Sequence, residues 1–467
     1  MSESLRSLGL KMNRRSPQDS ACTGGNTMQI LTTVTLSLFL LVSLVTPLAH
    51  AQFFAVCGSG SEAELKENIK AHSEHTYRLD EKFVKIYYRQ ARLPSDVSLA
   101  NLDDVLKFLG RLETRKAAIL FHAYRNGQLC TWLISASRVH CHTAQLGEQA
   151  FVSLRPNLMN ALNVTGVENK RAPVKRGVKR TDVTPSPTDL KRVLEETSQR
   201  LLPEPILRAL LGEKIDTLVV VPISTIGTLP FATFPVGNKV LMDLLSVVIA
   251  PGFFIFRNEP KRSQYDFSDP IIVGDPQGWR DPVWDFPPLP GARAEAEEVA
   301  AFLKSQALIG PEASKRKIEA KLGPKPKTGL IYLATHGIAD MTNPRDSSFL
   351  LLSDGRWPAS EIQNVPLRES KPLVVMSACQ TGLGKDFDVG TIGMTRAWHR
   401  AGASSVVMSL WSVDDAATRK LMVNFIELAK EKPPDKALQE AMQATRKVHP
   451  DPTLWAGFSV FGVPEVW

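Results

Sequence analysis

The chain has 467 residues, 43% apolar and 22% charged, the composition of an ordinary globular protein long enough for two or three domains. Its formal charge of +8 is partly local, since residues 170–180 alone carry Lys170, Arg171, Lys175, Arg176, Lys179 and Arg180. No aromatic-interleaved basic patch and no zinc-ligand spacing accompanies that run, so nucleic acid is not an expected partner and no metal site is expected.

Residues 1–51 read as an export signal outside the fold. Lys11, Arg14 and Arg15 precede the apolar stretch "MQILTTVTLSLFLLVSLVTPLA", which runs into Ala49-His50-Ala51 and then Gln52, a small-x-small cleavage pattern. The expected destination is periplasmic or secreted. The stretch is also long enough to stay as a single anchor, because about 20 apolar residues span a bilayer, and a membrane is involved only if it is retained. An oxidising compartment would encourage cysteine pairing.

Residues 52–113 form a short helical N-terminal segment, charged and helically periodic in "EAELKENIKAHSEHTYRLDEKFVKIYYRQARL" and "LDDVLKFLGRL". It is too short for an array of helical repeats. Residues 114–165 then read as a small α+β subdomain: strand "KAAILFHAY", a hairpin at 128–142, and a helix near 146–163. A two-residue turn at Ser135-Ala136 would place Cys130 opposite Cys141, which predicts a disulfide between them.

Residues 166–188, "GVENKRAPVKRGVKRTDVTPSPT", hold three Lys-Arg pairs and three prolines and cannot bury a core. The stretch is a basic, Pro-rich loop: a solvated excursion, or a segment meant to be cut. From 189 to 467 the pattern is a helix (189–212), strands at "DTLVVVPIS", "LPFATFPVG", "LLSVVIAPG" and "DPIIVGDP", helices at "ARAEAEEVAAFL" and "EASKRKIEAKL", and strand "TGLIYLATHG". A loop with "SFLLLSDG" comes next, then strand "KPLVVMSACQTG", helix "GTIGMTRAWHRAG", strand "SSVVMSLWSVDD" and helix "AATRKLMVNFIELAKE". Near-continuous apolar strands separated by amphipathic helices predict an α/β fold, a mostly parallel sheet flanked by helices on both faces.

Function in such sheets collects beyond the carboxyl ends of the strands. Two consecutive apolar strands end alike, "LIYLATHG" at His336-Gly337 and "LVVMSAC" at Cys379. If the strands are parallel neighbours, imidazole and thiol share one edge, the arrangement a cysteine nucleophile needs: a thiol near pKa 8.5 is mostly protonated at neutral pH, and a neighbouring His can take its proton and pass it to a leaving amine. The backbone N–H groups of Gly337 and Cys379 could point at a developing oxyanion.

"YLATHG" and "SACQTGLG", followed by "GTIGMTRAWHRAGASSVVMSLWSVDDAAT" and "LWAGFSVFG", resemble the CHAT domain, a caspase-like cysteine peptidase family often found with helical repeats. The resemblance extends upstream through "LVVVPISTIGTLPFATFPV", "VGDP" and "LPGARAEAEEV", and covers roughly residues 110–467. It implies a caspase–hemoglobinase fold, a His336/Cys379 dyad and neither metal nor organic cofactor. Gln380 stands where Glu is common in the family, and the usual repeat partner is missing. Basic residues before the scissile bond are implied by caspase-fold relatives, which makes the Lys-Arg loop a candidate for self-cleavage.

Other residues are candidates for substrate binding. Asp414 could line a pocket for a basic side chain, although an Asp before a helix is first of all an N-cap. Asp275 ends the "VGDP" strand, where a turn is the simpler reading. Asp386 and Asp388 follow the nucleophile, and Trp411 could wall a subsite or fill core; His399 reads as structural. The expected function is an exported cysteine endopeptidase acting on a protein or peptide substrate, with an activating protein partner as a further expectation. The alternative is a catalytically silent caspase-like scaffold module in the cell envelope.

Overall fold

The computed structural model describes residues 61–85, 100–112, 114–164, 174–175, 190–258, 260–261, 263–339, 346–377, 379–380, 388–411 and 415–467; residues 174–175 and 379–380 are described by their backbone. All belong to one compact unit, Phe53–Trp467. The expected export signal, Asp386 and Asp414 lie outside the described residues. Among the described residues no helix is long and apolar enough to cross a membrane.

The chain opens with α1 (Ser61–Lys85) and α2 (Leu102–Gly110), then β1 (Ala117–Arg125), β2 (Gln128–Ser135), β3 (Val139–Gln145), α3 (Glu148–Val152), α4 (Leu154–Ala161) and the short β4 (Val174–Lys175). Next come α5 (Leu190–Leu201), α6 (Glu204–Gly212), β5 (Thr217–Val221), a two-residue hairpin of β6 (Pro235–Val236) and β7 (Lys239–Val240), β8 (Ser246–Ile249), β9 (Ile271–Gly274) and β10 (Trp284–Asp285). The second half holds α7 (Pro290–Phe302), β11 (Leu308–Ile309), α8 (Lys315–Leu322), β12 (Leu330–Ala334), β13 (His336–Ile338), β14 (Phe349–Leu352), β15 (Gly355–Pro358), α9 (Ala359–Ile362), β16 (Leu373–Met376) and β17 (Cys379–Gln380). It closes with α10 (Asp388–Ala401), β18 (Ser405–Ser409), α11 (Asp415–Ala429), α12 (Pro434–Val448) and β19 (Phe458–Phe461).

Eleven strands form one sheet in the order β11-β9-β12-β16-β18-β19-β8-β5-β1-β2-β3. From β11 to β18, and again from β19 to β1, neighbours are parallel; β18–β19, β1–β2 and β2–β3 are antiparallel. β9, β12, β16 and β18 are buried along their whole length, as strands covered on both faces must be. This is the expected α/β architecture.

Strand alternation divides the core at the β1 side. Ala118, Leu120, Leu218 and Val220 join the main core with Leu158 and Leu210, whereas Ile119, Phe121, Val219 and Val221 face Leu65, Ile69, Val105 and Phe108 of the first two helices. At roughly 1.5–3 kcal/mol per fully buried side chain of this size, α1 and α2 are part of the fold's own core.

Where the sequence reading and the structure differ, proline and turn chemistry explain most of it. The helix expected over 189–212 is two, because Pro203 lacks the N–H that would continue α5. "LPFATFPVG" gives a 3-10 turn at Phe231–Thr233 and the small β6 rather than a sheet strand, with Pro230 and Pro235 at its ends. "SFLLLSDG" is strand β14, turned through Ser353-Asp354 into β15 at Gly355, whose φ of 142° glycine alone adopts easily.

The Cys130–Cys141 disulfide is corrected. The hairpin turns one residue later than expected, at Ala136-Ser137, because the Ser135 hydroxyl accepts the N–H groups of Ser137 and Arg138 (3.3 and 3.0 Å). That moves the register by two, so Cys130 faces Thr143 and Cys141 faces Trp132. Cys130 is a free thiol and Cys141 is disulfide-bonded, so the two are not joined to each other.

Candidate active site

β9, β12, β16 and β18 run parallel in register, so all four release the chain at one edge of the sheet. After β12 and β16 strand pairing stops at Thr335 and at Ser377, and it resumes at His336 and Cys379. β13 and β17 are parallel neighbours in a four-stranded sheet ordered β15-β14-β13-β17, and His336 is the register partner of Cys379. Neighbouring strands lie about 4.8 Å apart, and register partners occupy the same face. The buried hydroxyl of Thr335 bonds Leu351 O at 2.6 Å, tying the break to β14.

The His336 imidazole is 2% exposed. Its Nε2 lies 2.7 Å from Pro287 O, and a carbonyl can only accept, so Nε2 carries the proton and Nδ1 keeps its lone pair. Nδ1 is buried and has no hydrogen-bond partner among the described residues. Burial pushes the pKa of the ring down to about 4, against the opposing pull of the Pro287 carbonyl and the Asp275 charge. The imidazole is therefore neutral at pH 7 and offers a base at Nδ1.

Sequence reasoning missed the segment that holds this ring. Phe286 and Pro287 lie against His336, on a segment, residues 281–289, that is fastened at both ends. Asp281 takes Arg356 of β15 bidentately (2.7 and 2.8 Å), and Leu289 N donates to Asp275 Oδ1 at 2.8 Å. Between them, Phe286 packs on His336 and edge-on to Phe349, with ring centroids 5.1 and 6.3 Å apart. A signal was available in "DPVWDFPPLPG": Pro282, Pro287, Pro288 and Pro290 stiffen the segment and leave its carbonyls as the groups to be used. Of the basic loop only Val174 and Lys175 are described, and they pair antiparallel with Asp285 and Trp284, next to Phe286 and Pro287.

The CHAT domain family model matches residues 191–463, more than half of the chain. The chain belongs to the CHAT domain family. Over 217 residues this CHAT chain is 29% identical to tetratricopeptide repeat protein 28 of Mus musculus and 28% identical to that of Homo sapiens. The match covers 38% of this chain but only 9% of either relative. Among solved structures it is similar to the Saccharomyces cerevisiae separase–securin complex at 2.6 Å resolution, with a TM-score of 0.50 and 11% identity over 88% of this chain and 34% of that one. At that identity the likeness concerns the fold, a caspase-like mostly parallel α/β sheet.

The remaining candidates fall in different places. Asp275 of this CHAT domain is 3% exposed and its carboxylate is occupied by Leu289 N, by Gln277 Nε2 at 2.7 Å and by Arg293 Nε at 3.2 Å, so it is not a surface group awaiting a substrate. Trp411 fills core at 3% exposure and donates its indole N–H to Thr453 O at 3.2 Å; it walls no subsite. Asp388 begins α10, and Gly337 sits between Gln380 and Leu350 in the small sheet. His399 is half-buried with Nδ1 3.1 Å from Ala403 O, a structural bond.

A second buried polar group backs the site. Glu295 of α7 accepts from Tyr332 Oη of β12 at 2.6 Å and also bonds Ser377, two residues before Cys379. Burial raises its pKa to about 7, while Ser377 and Tyr332 pull the other way. The folded state thus holds a proton that the unfolded chain releases near 4.3–4.5, so stability is lost as pH rises through that window to about 7. Glu295→Gln, which stays neutral, should match wild type near pH 4.5 and exceed it by roughly 3 kcal/mol at pH 8. Denaturant unfolding at both pH values checks this, and a pH-independent difference would contradict it.

Proposed function

We propose that this chain is a cysteine endopeptidase using a His336/Cys379 dyad. The observation that carries the reading is the register pairing of these two positions beyond the ends of parallel strands, with a neutral, proton-accepting imidazole held at one of them. In the proposed cycle the Cys379 sulfur attacks the scissile carbonyl carbon while its proton passes to His336 Nδ1. Gly337 and Cys379 N–H groups receive the oxyanion, and the imidazolium returns the proton to the leaving amine. Water, deprotonated by the same imidazole, then hydrolyses the thioester.

The preferred residue before the scissile bond is proposed to be Lys or Arg, and the Lys-Arg loop to be a self-cleavage site. The pairing of Val174-Lys175 beside Phe286-Pro287 supports this, since it brings the basic run to the segment that holds His336. Export belongs to the same proposal and rests on residues 11–52. Fluorogenic peptides ending in Arg or Lys should be hydrolysed by the purified chain, with new termini appearing within residues 170–181, and neither should occur with Cys379→Ala. Hydrolysis by that variant would remove the assignment.

The relatives named as tetratricopeptide repeat proteins favour a second reading, a caspase-like scaffold module. That reading predicts a folded wild type that hydrolyses no peptide.

A further inference from the structure

Asp275 is tied to the segments that carry both partners of the bond that orients the dyad imidazole, through its backbone N–H on the histidine side and through its buried carboxylate on the carbonyl side. We propose that Asp275 is the positioning residue of the site: it fixes the segments on which His336 and Pro287 ride, and so the direction in which the ring presents Nδ1. The inference rests on reading His336 as the base of the dyad.

On the histidine side, Asp275 N donates to Ala334 O at 3.0 Å, two residues before His336. On the carbonyl side, Asp275 Oδ1 accepts from Leu289 N at 2.8 Å, two residues after Pro287. Gln277 and Arg293 hold the other oxygen, so the carboxylate cannot swing away. A turn residue would need none of this. Asp275 also has φ of +47°, a left-handed conformation, at a buried position. Asp tolerates that region better than most residues, yet such a conformation persists only where surrounding bonds determine it. Gly274 before it has no room for a side chain: a Cβ there would lie 2.5 Å from the Ala296 Cβ and 3.0 Å from Ala292 O, so the strand tip is pressed onto α7. The strained backbone therefore aims the carboxylate between two segments that must keep a fixed separation.

Its charge adds a second effect. Asp275 favours the protonated form of His336, the state the ring enters when it takes the thiol proton. The other nearby charges, Arg293 and the Asp281–Arg356 pair, stay the same in the variants below.

The test compares Asp275→Asn and Asp275→Ala in the full chain. Asn keeps an acceptor for Leu289 N but not the charge, and Ala keeps neither. With an Arg fluorogenic peptide, Asp275→Ala should lower kcat by about tenfold to a hundredfold with KM little changed, as expected for a misplaced base, and Asp275→Asn should fall between it and wild type. The His336 imidazole titration, followed by NMR, should move to lower pH in Asp275→Asn. If Asp275→Ala fails to fold, Asp275→Asn carries both readouts. A variant that loses only thermal stability, with wild-type kcat and an unmoved His336 titration, would overturn the proposal. If wild type shows no turnover, the peptidase reading fails, and the titration still decides the role of Asp275.

Discussion

Replacing His336 with alanine should lower kcat by about 10²–10⁴-fold, the usual contribution of a positioned general base, and should slow alkylation of Cys379. The substitution removes the imidazole that the ladder pairs with position 379, whose Nδ1 has no hydrogen-bond partner among the described residues. KM for a short peptide should change little, because the ring is buried and adds little binding surface. The pH profile supplies a further check. With the ring held at about 4, the neutral base persists well below the ordinary histidine value of 6.5, so activity should survive to acid pH and fall only as pH drops towards 4. Unchanged kcat in His336→Ala would remove the imidazole from the mechanism.

Arg115→Met should cost about 3–5 kcal/mol, the usual penalty for removing one partner of a buried ion pair. The Arg115 guanidinium pairs with both oxygens of Asp435 on α12 and also donates to Glu465 O at 2.7 Å and Thr217 Oγ1 at 2.6 Å. Asp435 is 3% exposed. Burial alone would raise its pKa, but the Arg115 charge and hydrogen bonds more than offset that, and the net direction is down. Without Arg115 a carboxylate is left buried among Ser246 and apolar side chains. Equilibrium unfolding in urea reads the loss, and Arg115→Met combined with Asp435→Leu should recover much of it. A single variant as stable as wild type would mean the pair contributes nothing.

The strands that build the site were legible because each is short, β-branched and bounded by polar or glycine-rich residues. That made it possible to place His336 and Cys379 at strand ends, and parallel pairing then brings them together. What holds His336 was not legible, because it is a backbone carbonyl. Pro287 O has no residue-type signature, and Asp281 and Asp275 find Arg356 and Leu289 N only through the tertiary fold. Asp275 shows the limit from the other side. The sequence marks it as a strand-end acid, whereas its burial and the three hydrogen bonds its carboxylate accepts, from Leu289 N and from the Gln277 and Arg293 side chains, make it an internal brace. Trp411 failed as a subsite wall for a similar reason, since an aromatic after a buried strand packs inward unless something removes its neighbours. In the hairpin the pattern of alternation was clear, but one serine hydroxyl chose the turn, and a one-residue change there separated Cys130 from Cys141 by two positions.

The most direct measurement is cleavage of an unbiased peptide library by the purified chain beside Cys379→Ala, with new termini identified by mass spectrometry. The account predicts a set of termini sharing Lys or Arg before the cut in wild type and none in the variant, with the two proteins unfolding alike. The same termini from both proteins, or none from folded wild type, would contradict it.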